Sequence, residues 1–270
     1  MIPVPSIIKR LIEHMRADPD DWRPGWDRAY RCLEPFPDCD SLLTHLAYGD
    51  DYEPGELHYS GHPFEVIPLF WNGGDGLHYG VAWYDEKLGP EHPPAVSYAP
   101  VDDHAVWLGD NATDGLRNLL AWYAHKVMAG SDYEQKYREK GEAMARVLDL
   151  DVSTLPELTP GARSARPVNP VVPDGWRWVP GRRGIGTLAP IETFAPGDLP
   201  DHGWDDGAWL EASEQALAKG FPGTALVAAR AAYRASTGEV EAAKAMGEAY
   251  AALGRTPLVE RVNHYVRMHA

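Results

Sequence analysis

Asp75 and His78 are the two residues of this 270-residue chain best spaced to share a proton, one in the turn Asn72-Gly73-Gly74-Asp75-Gly76 and one just after it. A carboxylate beside an imidazole is an elementary acid–base unit, because the imidazole changes charge near neutrality. Asp75 also has a simpler use, closing its own turn through side-chain bonds to nearby amides. His58 and His62 have the H-x-x-x-H spacing that sets two zinc ligands on one helix face. The intervening Tyr-Ser-Gly is poor helix material and no Glu follows His58, so incidental loop histidines are the simpler reading. Asp102, Asp103 and His104 offer a metal site or an acid and base, and a solvated turn between two strands accounts for them more simply.

The run Gly73-Gly74-Asp75-Gly76 is also carried by lipid kinases and NAD kinases in a nucleotide-binding loop. There it follows a buried strand, continues with Thr and opens a helix whose N-terminus receives phosphate. Here Leu77 follows, and the next residues alternate as a strand. No G-x-S-x-G elbow, P-loop or G-x-G-x-x-G appears, and Gly184-Ile185-Gly186 lacks a third glycine at the required spacing. Cys32 and Cys39 are too far apart for a C-x-x-C pair and form no disulfide framework, so they read as reduced thiols of a cytoplasmic protein. The sequence thus predicts neither a metal nor a cofactor.

These residues hang on a predicted β-hairpin, Phe64 to Tyr84. Phe64, Val66 and Phe70 alternate with Ile67, Leu69 and Trp71 before the glycine turn. Leu77, Tyr79, Val81 and Trp83 alternate with His78, Gly80, Ala82 and Tyr84 after it. Period-2 patterning either side of a glycine-rich turn is a hairpin signal, with residues 73–76 in the turn. Helical spacing of Ile7, Ile8, Leu11, Ile12 and Met15 predicts a helix over 6–17 with Ser6 as its cap. Short helices are predicted near 22–30 and 40–48, strands at 95–99 and 105–108, and a helix capped by Thr113 with Leu116, Leu119, Leu120, Tyr123 and Val127 on one face. Ser131 and Glu134 form a capping box for a further helix reaching about Leu150.

Nine prolines between Pro156 and Pro200 forbid long helices there, yet Trp176 and Trp178 ask for burial. We expect an ordered connection draped over the sheet, with a small hairpin between Trp176 and Gly186. The alanine-rich remainder predicts four helices broken near Gly220, Gly238 and Gly254, with Trp209 and Tyr250 buried between them. The fold class expected is α+β: an antiparallel sheet with flanking helices over 1–150, a proline-rich connection over 151–203 and a small all-α helical-hairpin domain over 204–270.

Charge narrows the partners. With 25 Lys and Arg against 40 Asp and Glu, the formal charge is −15, which argues against nucleic acid because phosphates need a basic surface. It fits a solvated acidic surface or a basic partner protein. Residues placed to meet such a partner are Asp50, Asp51, Glu53, Asp75, His78, Asp102 and Asp103, beside the sheet and its turns. The start carries only a short apolar run, broken by Lys9 and Arg10, and no window approaches a membrane span, so neither a signal peptide nor membrane attachment is expected.

Two resemblances add to this reading. Trp209, Ala225, Ala232, Gly247 and Tyr250 fall at tetratricopeptide consensus positions, and Gly220 and Gly254 share the 34-residue period, so 204–270 resembles tetratricopeptide repeats. The pattern departs at Val259, Asn263 and Val266. Over roughly 42–128, the helix Ser41 to Tyr48, the strand Val66 to Phe70, the turn Gly73-Gly74-Asp75-Gly76 with His78-Tyr79-Gly80, the strand Pro94 to Tyr98 and the helix after Asn111 resemble the SUKH superfamily of yeast cell-wall regulators and bacterial immunity proteins. Glu34-Pro35-Phe36-Pro37 is the nearest counterpart of its Leu-Pro-Pro-type turn. The resemblance implies a non-enzymatic binding protein, an immunity protein that neutralises a basic toxin being the bacterial instance. The other reading is an enzyme or metal protein using Asp75 and His78 or His58 and His62.

Overall fold

The structure is a computed structural model that describes residues 5–17, 34–35, 63–71, 78–99, 104–125, 132–154, 168–181, 184–197, 205–233 and 239–269. The fold is α+β. One antiparallel sheet runs in chain order from a two-residue edge strand β1 (Glu34–Pro35) through β2 (Val66–Trp71), β3 (His78–Ala82) and β4 (Ala95–Ala99) to β5 (His104–Gly109). The predicted hairpin is present as β2 and β3, paired from Val66↔Ala82 to Trp71↔His78. From His78 onward the described chain is a strand, as predicted, and not the helix that a kinase-type loop opens. Pro68 interrupts the ladder, since it has no amide to donate, and the register shifts between Pro68 and Phe70.

Both faces of the sheet are covered. Ile67, Tyr79, Val81, Ala95 and Leu108 join the cluster containing α1 (Ser6–Ala17), α2 (Ala112–His125) and α3 (Asp132–Leu148), through Ile8, Leu11, Leu116, Leu120, Met144 and Leu148. Gly115 lets α2 lie close on the sheet, because a Cβ there would stand 2.0 Å from Ala95 Cβ. The opposite face, Val66, Ala82, Tyr84, Val96, Tyr98 and Ala105, is covered by Val168, Ile185 and Leu188 of the proline-rich connection. That connection forms the small hairpin β6 (Trp176–Val179) and β7 (Thr187–Pro190), and the ring of Trp178 meets that of Tyr84 edge-on at 5.6 Å.

Four helices follow: α4 (Asp206–Ala218), α5 (Pro222–Ala232), α6 (Glu239–Ala252) and α7 (Thr256–His269). Their ends repeat at the 34-residue offset. Gly220 (φ +81°) and Gly254 (φ +76°) close α4 and α6 in the left-handed conformation that glycine adopts without steric cost. Phe221 N donates to Ala216 O and Gly220 N to Leu217 O, and in the second pair Arg255 N donates to Tyr250 O and Gly254 N to Ala251 O. Trp209 and Tyr250 are buried as expected; Gly238 lies outside the described residues. The hydrophobic cluster runs without interruption from Phe64 and Trp83 of the sheet to Tyr250, Val262 and Tyr265 of the helices.

Two caps differ from expectation. Asn111, not Thr113, caps α2: its Oδ1 accepts from Asp114 N at 2.9 Å and its Nδ2 donates to Asp114 Oδ2 at 3.0 Å. An Asn side chain reaches the third amide beyond it, which Thr113 cannot do from inside the first turn. Ser6 is likewise within α1, where its amide donates to Glu91 Oε1 at 2.9 Å and so ties the helix to the loop after β3. The predicted helices near 22–30 and 40–48, and Ser131, lie outside the described residues.

Candidate functional site

Glu65, Asp85, Arg230, Tyr250 and Arg255 converge where the sheet, the connection and the helices meet. Glu65 stands immediately before β2, its carbonyl accepting from Trp83 N at 2.8 Å, so the β2–β3 ladder fixes it in place. Asp85 follows β3 and caps the turn Glu86–Leu88, Oδ1 accepting from Lys87 N at 3.0 Å. From the helices come Arg230 in the last turn of α5, Tyr250 in α6 and Arg255 directly after Gly254. The connection contributes Thr187 and Leu188 of β7.

Glu65 has 0% exposed surface. Arg230 Nη1 donates to its Oε2 at 3.0 Å, and Arg230 Nη2 and the Tyr250 hydroxyl both donate to Oε1. Burial alone would raise the Glu65 pKa, but the Arg230 charge and the hydrogen bonds from Arg230 and Tyr250 outweigh it and hold the carboxyl below its usual range. Burial would lower Arg230, yet the Glu65 charge keeps it above the ordinary guanidinium range. Burial and the neighbouring Glu65 charge push Tyr250 well up, so its hydroxyl keeps its proton and donates. Arg230 Nε also reaches Thr187 Oγ1 at 3.4 Å. Beside this set, Arg255 Nε donates to Asp85 Oδ2 at 3.3 Å and its Nη2 donates to Leu188 O. Burial lowers Arg255, partly offset by Asp85.

Aromatic packing completes the joint. Phe64, next to Glu65, meets Tyr233 at 5.1 Å and Tyr265 at 5.6 Å between ring centroids, the second edge-on. Such pairs add roughly 0.5–1.5 kcal/mol beyond their area. Chemically, the arrangement is a clamp. Both Glu65 oxygens accept hydrogen bonds from donors of the helices, which fixes the carboxylate at the joint. Its two carboxylates, Glu65 and Asp85, balance its two guanidiniums, Arg230 and Arg255.

The residues singled out in the sequence fall elsewhere. Asp50, Asp51, Glu53, Asp75, Asp102 and Asp103 lie outside the described residues, as do His58 and His62. His78 is described, and it is not at a surface: it is 1% exposed in β3, in register with Tyr98, and burial pushes its pKa down to about 4. The alternation that made β3 a strand carries His78 to the same face as Gly80 and Ala82, the face covered by the connection. His78 thus stands within the buried sheet and not at an exposed surface.

The clamp was missed by a search for motifs, yet it leaves a signal. Glu65 is a lone acid in the run Pro-Phe-Glu-Val-Ile, and Arg230 a lone base in Ala-Ala-Arg-Ala-Ala. An isolated charge in an apolar stretch asks for a buried partner of opposite sign. Among the described residues no group of three or more His, Cys, Asp and Glu is placed to hold a metal ion, and no helix is long and apolar enough to cross a membrane. The sequence matches no protein-family model and no curated protein.

Proposed function

We propose that this chain is a non-enzymatic protein-binding module of the cytoplasm, SUKH-like in its sheet portion and tetratricopeptide-like in its C-terminal helix pairs, and that its partner is a basic protein such as a toxin it neutralises. The observation that carries the reading is the neutrality of the clamp. Glu65, Asp85, Arg230 and Arg255 cancel one another, so the formal −15 belongs to the rest of the chain. An acidic body attracts a cationic partner and speeds its encounter. The same clamp supports a preorganised surface: helices fixed on the sheet lose little freedom when a partner docks, which favours affinity.

The test is co-expression with a basic toxin, taken from a neighbouring gene where one is encoded there. Binding predicts protection at a stoichiometry of one inhibitor per toxin and an intact toxin recovered in a complex. A toxin that is chemically altered, or protection by far less than an equivalent of this protein, contradicts the reading in favour of turnover.

A further inference from the structure

A pocket of about 400 Å³ opens between the loop after β3 and the connection. Leu88, Pro93, Pro94, Pro170, Pro173 and Trp176 wall it, so its lining is mostly rigid and apolar. That volume lies within the range of about 300–1,000 Å³ typical of sites for small organic molecules. Trp176 is half-buried, packed against the cluster under the connection.

Lys87 and His92 line the pocket and are exposed, which places them at its mouth. Asp85 also lines it, but Arg255 stands behind that carboxylate at 3.3 Å and neutralises it. Arg255 further donates to the carbonyl of Leu188, another lining residue. Tyr84 lines the pocket too, while its hydroxyl, like Nη1 of Arg255 behind Asp85, is buried. In a chain of charge −15, this mouth carries Lys87 while the lining carboxylate is already paired.

We propose that this pocket binds a small aromatic carboxylic acid, its ring against Trp176 and the proline walls and its carboxylate held at the mouth by Lys87 and His92. Flat rings pack on indole and proline faces with little loss of freedom on the protein side. With one ammonium at the mouth, the site suits a monoanion better than a phosphate dianion, which calls for several charge-assisted bonds. This site is separate from the basic-partner surface and stands or falls without it.

The experiment is calorimetric titration of the full chain with 3-phenylpropionate, its amide and 3-phenylpropylamine. The acid is expected to bind saturably, the amide about fivefold more weakly and the amine not at all. Trp176→Ala should weaken the acid about tenfold, and Lys87→Ala about fivefold. Val171→Trp alters a residue that is 66% exposed and lines the pocket, so it narrows the mouth without disturbing the fold and should also abolish binding. The proposal is overturned if the acid shows no saturable binding up to about 5 mM. Equal affinity for acid and amine, or unchanged affinity in Trp176→Ala and Val171→Trp together, overturns it as well.

Discussion

Arg230 and Glu65 stand 165 positions apart in the chain, yet Arg230 Nη1 donates to Glu65 Oε2 at 3.0 Å where Glu65 has no exposed surface. Removing one partner of a buried pair leaves an uncompensated charge and costs about 3–5 kcal/mol, whereas replacing both with apolar groups is often near neutral. Arg230→Met alone should therefore destabilise strongly, and Glu65→Leu with Arg230→Met should recover most of the loss. Urea unfolding of the two single variants and the double variant measures this. If the double variant loses the sum of the two single losses, the residues are not coupled.

Stability should also depend on pH in two separate windows. Burial takes His78 from an ordinary 6.5 down to about 4, so between those values the unfolded chain binds the extra proton. Stability is then intact above pH 6.5 and declines as pH falls toward 4, by on the order of 3 kcal/mol. Glu65 is depressed below its ordinary 4.5, so its contribution is present above that value and is lost as pH falls through the lower, folded value. His78→Phe should flatten the first window and leave the second. Identical pH slopes for the variant and the parent between 6.5 and 4 would contradict the buried placement of His78.

Gly220 and Gly254 occupy equivalent helix ends, at φ +81° and +76°, with nothing within 4 Å of an added Cβ at either. The cost of alanine there is conformational alone, about 1–2 kcal/mol. Gly220→Ala and Gly254→Ala should thus destabilise by similar amounts in thermal or urea unfolding. Losses that differ by more than about 2 kcal/mol would break the equivalence of the two helix ends.

Much of the fold was legible because its signals are local. Alternation around Asn72 to Gly76 marked β2 and β3, the spacing of Ile7, Ile8 and Leu11 marked α1, and the 34-residue interval between Gly220 and Gly254 marked the helix pairs. The cap of α2 was misplaced by two residues because Asn111 and Thr113 both have side chains able to cap, and only the backbone conformation chooses between them. The clamp was illegible as a motif because its members come from positions 65, 85, 230, 250 and 255, joined by tertiary contact alone. His78 misled for a related reason. Its type suggested reactivity, while its parity in the strand, equally readable, placed it under the connection.

The central claim, that an acidic body captures a basic partner, is tested most directly by the association rate with the basic toxin as salt rises from about 50 mM to about 500 mM. Screening shortens the reach of surface charge to roughly 8–10 Å at physiological salt, so association should slow steeply while dissociation changes little. Replacing Asp50, Asp51 and Glu53 with Ser should lower the rate at low salt and flatten its salt dependence. A rate that is insensitive to salt, or unchanged by the triple replacement in a folded protein, would contradict the account.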